Sequence, residues 1–77
     1  MMKYLTQNGE VLEGETFPDI IVAFRNGLQF PANQTTLEFM VSFANRHFKS
    51  NGSKISTLSY GAFLADLVSN KYLTKAE

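Results

Sequence analysis

Apolar positions along this chain recur at two periods, and the changes between them mark the elements. Lys3-Tyr4-Leu5-Thr6 and Glu10-Val11-Leu12-Glu13 mix apolar and polar residues on either side of Asn8-Gly9. Asn-Gly tolerates the positive φ values of a tight hairpin turn, so two short antiparallel strands are predicted, with Gly14 ending the second. A lone hairpin is marginal in water and must pack against a helix.

From Phe17 onward the period lengthens. Phe17, Ile20, Ile21, Phe24 and Leu28 form an amphipathic stripe at i, i+3, i+4, i+7 and i+11. Thr16 or Phe17 caps this helix. Pro18 suits its first turn, where the missing N–H costs nothing, and Asp19 complements the positive end of the dipole. Asn26-Gly27 predicts a stop near Arg25, with Gly27 as the left-handed residue after it. Leu28 and Phe30 are expected to close the core from the loop, with Pro31 holding Phe30 extended.

The second helix opens with a capping box, Thr35-Thr36-Leu37-Glu38, and is predicted to run to Phe48 or Lys49. It carries two apolar sets. Leu37, Val41, Ala44 and Phe48 follow the spacing of a buried stripe. Phe39 and Phe43, with Met40 between them, form a second set turned away from the first. This second set is either a surface for a partner or the mark of a helix that touches two neighbours.

Ser50-Asn51-Gly52-Ser53 is rich in breakers and predicts a loop. Lys54 to Leu58 is expected to be a third short strand. Thr57 or Ser59 then caps a last helix, from about Tyr60 to Ser69, whose stripe is Tyr60, Phe63, Leu64, Leu67 and Val68. Tyr72 and Leu73 pack back or extend, and the residues after them fray. The expected architecture is a single small α+β domain over residues 1–77. It has a β-hairpin, two helices, a short third strand and a C-terminal helix (ββααβα).

Composition narrows the chemistry. The 77 residues include no cysteine, which removes disulfides and thiolate zinc sites. A core this small rests on packing or oligomerisation. Seven Phe and three Tyr supply much of the area, at roughly 1.5–3 kcal/mol for each fully buried Phe. Seven basic residues balance seven acidic ones, so there is no global pull toward nucleic acid or acidic membranes. The charges are nevertheless segregated: residues 1–38 carry a net −3 and residues 39–77 a net +3.

No catalytic or cofactor motif is present. His47 is the single histidine, and it is expected at the surface or rim near a helix C-terminus. Glu10, Glu13 and Glu15 read as a solvated edge that discourages strand addition. There is no Gly-x-Ser-x-Gly elbow and no Gly-rich phosphate loop. No enzyme activity, cofactor or metal is expected. No apolar run approaches the roughly 18 residues of a membrane span, and the start lacks a signal-like stretch, so a cytoplasmic protein without membrane contact is expected.

Several segments together resemble a known group. They are Asn8-Gly9 and Gly14-x-Thr16, Asp19-Ile20-Ile21-Val22 followed by Arg25, Glu38-Phe39-Met40, and Phe43-Ala44-x-Arg46. Gly52, Ile55-x-Thr57 and Phe63-Leu64-x-Asp66-Leu67 complete the pattern. In these the chain resembles a loose group of small, mostly uncharacterised proteins carried by bacterial phages, plasmids and integrative elements. The resemblance implies an accessory protein of a mobile element that binds a host or element protein to regulate it or to counter a defence.

The expected partner-binding residues are Phe39, Phe43 and Met40, with Arg46 and Lys49 at the rim, since aromatics and Arg dominate interface energetics. A homodimer through the same Phe face is a further possibility. The alternative is a small nucleic-acid binder using the basic patch of Arg46, Lys49 and Lys54 at the end of the second helix.

Overall fold

The hairpin, all three helices and their N-caps form where the local signals place them. The computed structural model describes residues 1–28 and 34–76. Strands β1 (Met2–Thr6) and β2 (Val11–Gly14) pair antiparallel, with Tyr4 opposite Leu12. Gly9 takes a positive φ of 85° in the turn. Helix α1 (Phe17–Asn26) follows directly. Thr16 is its N-cap: its hydroxyl accepts from the Asp19 N–H, and Asp19 accepts from the N–H groups of Thr16 and Glu15. Gly14 is required here, because a Cβ at this position would lie 2.5 Å from the Asp19 Cβ.

Gly27 ends α1 in a right-handed conformation, with φ of −86°, and so differs from the left-handed residue expected there. Its N–H is satisfied by carbonyls of the last turn, which removes the need for a positive φ. Leu28 packs against the core as anticipated, whereas Phe30 and Pro31 lie outside the described residues. Helix α2 (Thr36–Asn51) begins at the Thr35–Glu38 capping box and ends at Gly52, whose φ is +75°. It runs slightly further than expected. The Arg25 guanidinium donates to the Gln34 carbonyl at 2.9 Å and ties the end of α1 to the start of α2.

Helix α3 (Tyr60–Ser69) is capped by Ser59. Gly61 receives the ring of Phe17, with Cε2 3.2 Å from where a Cβ would stand. The helix ends in a Schellman arrangement: the Tyr72 N–H reaches the Leu67 carbonyl, and the Lys71 N–H reaches that of Val68. Lys71 adopts the left-handed conformation this requires, with φ of 67°. The turn sends the chain back along the sheet as β3 (Leu73–Lys75).

The third strand therefore follows all three helices. The order is ββαααβ, which corrects the expected ββααβα. The sheet order is β2-β1-β3, with Leu5 opposite Thr74 and Thr6 opposite Leu73. β1 has two edges, and both are taken by β2 and β3. Residues 54–58 run as an unpaired segment instead, anchored by Ile55 in the core. The carboxylate of Asp66 accepts from the Ser56 N–H at 2.7 Å, so a side chain takes the place of a strand partner.

The core joins Tyr4, Leu12 and Leu73 of the sheet to residues from all three helices. β2 is an edge strand, and Glu10, Glu13 and Glu15 are exposed on and beside it.

Candidate functional site: the outward face of the second helix

Helix α2 is seated with its two apolar sets the other way round from the reading in which the longer stripe is the core. Phe39 and Met40 are fully buried, and Phe43 nearly so. Phe24 of α1 lies 6.2 Å from Phe39 and 5.4 Å from Phe43, and Phe63 of α3 lies 6.2 and 6.0 Å from the same two rings. Tyr72 meets Phe43 edge-on at 5.0 Å. Each such pair adds about 0.5–1.5 kcal/mol beyond the area it buries. Rings supplied by three other segments make this the better face to bury. Phe39, Met40 and Phe43 are thus core residues of the folded domain rather than the outward face expected to bind a partner, with Phe43 alone reaching the wall of a cavity beside Leu28 and Tyr72.

The stripe Leu37, Val41, Ala44 and Phe48 turns outward. Leu37 is 55% exposed, Val41 42% and Phe48 48%, while Ala44 is half-buried beneath them. Beside the stripe runs the unpaired segment after α2. Between them lies an open groove of about 270 Å³, lined by Val41, Ala44, Asn45, Phe48, Lys54, Ile55 and Thr57. It is smaller than most small-molecule sites, which occupy roughly 300–1,000 Å³. Just past Thr57, Leu58 stands almost wholly in solvent at 94% exposed. Arg46 and Lys49 are exposed near the C-terminal end of α2. They lie at i, i+3, and Lys49 shares its flank of the helix with Asn45, which lines the groove.

His47 departs from the surface or rim position expected for it. It is 5% exposed and has a side-chain partner on each ring nitrogen. Nδ1 lies 2.7 Å from the Tyr72 hydroxyl and 3.2 Å from Asn51 Nδ2, and Nε2 lies 2.6 Å from Ser53 Oγ. The Tyr72 and Ser53 hydroxyls can each donate or accept, so both ring nitrogens are satisfied in either tautomer. A serine beside a histidine at this distance suggests an activated nucleophile. Here the ring is buried in the packing of α2, with Tyr72 and Asn51 on its other nitrogen. The arrangement instead pins the end of α2 to the turn before β3. The sequence carries a partial signal for it: His47 follows Phe39 and Phe43 at i+8 and i+4, on the face that the rings bury.

Among the described residues, no group of three or more His, Asp or Glu could hold a metal ion, and no helix is long and apolar enough to cross a membrane. Comparison with protein-family models, curated proteins and solved structures finds no match to this chain.

Proposed function

We propose that the protein is a non-enzymatic interaction domain that docks an amphipathic helix of a protein partner against the outward face of α2. One observation carries this reading. A small domain with few apolar residues to spare leaves Leu37, Val41 and Phe48 in solvent at helical spacing, beside a groove floored by Ile55. Contiguous exposed apolar surface is unusual on a monomer and marks contact sites. Helix-in-groove recognition reads anchors at i, i+4 and i+7 spacings of this kind. The regulatory or counter-defence role implied by the resemblance to mobile-element proteins belongs to the same proposal. Such a domain acts by occupying a surface of another protein. The nucleic-acid alternative has less support, because Phe39 and Phe43, the rings that would stack bases beside Arg46, Lys49 and Lys54, are buried.

A photo-crosslinking residue placed at Val41, with one at Thr74 on the sheet as control, tests the proposal in cells. A discrete adduct from position 41 alone, abolished by Leu37→Ser with Phe48→Ser at unchanged Tm, is the expected result. Adducts that form equally from both positions, or that survive the two serines, would sink it.

A further inference from the structure

We infer that the helix received by this face is the α2 of a second copy of the chain, packed antiparallel. The inference rests on the reading of the α2 outer face as an interface, and names its occupant. The outward residues Leu37, Val41, Ala44 and Phe48 are spaced by four, three and four. That is the d-a-d-a seam of a coiled coil, narrower than the face a globular core needs.

Consider two such helices related by a twofold axis midway between Ser42 and Phe43. Leu37 of each then faces Phe48 of the other, and Val41 faces Ala44. Large residues meet at the ends and a small one admits Val41 at the centre, so the surface is self-complementary as an isologous contact requires. Leu37 of the second copy stands over the mouth of the groove, where Phe48, Ile55 and Thr57 line its walls.

Charge decides the direction. Going round the helix at about 100° per residue, Glu38, Asn45 and Lys49 share one flank of the seam. In the antiparallel pair this flank lies against the same flank of the other copy. Glu38 then falls between Asn45 and Lys49 of the second copy, about 3 Å along the axis from each at a rise of 1.5 Å per residue. The contact is made twice. A parallel pair would turn this flank toward the opposite flank of the other copy, where Met40 and His47 are buried, so that neither Glu38 nor Lys49 would meet an opposite charge, and it would align the two helix dipoles unfavourably. One carboxylate oxygen of Glu38 is engaged in the capping box, at 2.8 Å from the Thr35 N–H, which fixes the side chain and leaves its other oxygen to face the second copy.

The seam spans three turns, so the contact falls below the roughly 1,200 Å² of a standard stable interface, and the dimer is weak and concentration-dependent. Sedimentation equilibrium from about 10 μM to 1 mM covers the range expected of such an interface. The wild type should shift from monomer to dimer, and Val41→Glu should remain monomeric with its far-UV spectrum unchanged. Glu38→Lys and Lys49→Glu should each weaken self-association roughly threefold to tenfold. Mixed together, these two charge variants should associate at least as well as wild type, because each repulsive pair then becomes an attractive one.

A wild type that stays monomeric at 1 mM, a Val41→Glu dimer, or no recovery on mixing overturns the inference. If the chain is monomeric but the Val41 cross-link to another protein persists and depends on the stripe, only the identity of the occupant fails. Loss of both removes the interface itself.

Discussion

Phe39 and Val41 stand two positions apart on α2 and face opposite surroundings. Phe39 is enclosed by the rings of Phe24, Phe43 and Phe63, whereas Val41 borders solvent. The consequences for stability follow. Phe39→Ala removes a fully buried ring and leaves a cavity, which costs about 3–5 kcal/mol. A domain of this length is stable by roughly 4–12 kcal/mol, so the variant should be largely unfolded or have a much lower denaturation midpoint. Val41→Ser should change stability by no more than about 0.5–1 kcal/mol. Urea unfolding of the two variants distinguishes the faces directly, and equal effects would mean that α2 is seated otherwise. At this scale the sequence is ambiguous because both sets on α2 have good helical spacing. Spacing reports that a face is apolar, not which neighbours meet it.

The elements were the most legible part, because their ends are governed by short-range chemistry. Thr35 and Glu38 satisfy each other's backbone N–H groups within four residues, and no distant contact is needed to recognise them. Asn8-Gly9 and Ser59 are equally local. Where a local rule had two solutions the reading was less sure. Gly27 was free to be left-handed but ends α1 in a right-handed turn, while Lys71 took the left-handed position at the end of α3 although it carries a side chain. A left-handed residue with a Cβ is held at a cost of about 1 kcal/mol or more. Lys71→Gly should therefore raise Tm by a few degrees. The bond from Gln7 Nε2 to the Lys71 carbonyl involves only backbone at residue 71 and is kept. A fall in Tm would show that the Lys71 side chain contributes something its exposure does not suggest.

The whole molecule depends on which segment joins β1 as its second neighbour. Two candidates were present, residues 54–58 and the chain after Tyr72. The Schellman turn at Lys71 returns the chain along β1, and Leu73 reaches the core with 2% exposure. The earlier segment has the Asp66 carboxylate for the Ser56 N–H and is left beside α2, where it makes one wall of the groove. Leu73→Ala should cost about 2–5 kcal/mol, and Leu58→Ala less than about 0.5 kcal/mol, measured by chemical denaturation. A large loss at Leu58 would indicate that its segment packs in the sheet after all. The buried link from His47 to Tyr72 and Ser53 belongs to this scale too, since it brings together residues 25 positions apart.

What the sequence determined by itself had its partners a few residues away: the hairpin turn, the three helices and their N-caps, with composition adding the absence of cysteine-based sites. Hydrogen bonds that close over three or four positions carry their own signature. Tertiary structure alone decided the rest. It chose the aromatic face of α2 for the core, enclosed His47, gave the sheet its third strand from the far end of the chain, and left Leu37, Val41 and Phe48 outside. Each of these is a competition between segments for the same limited interior, and the outcome depends on the rings and backbone edges that distant segments bring to it.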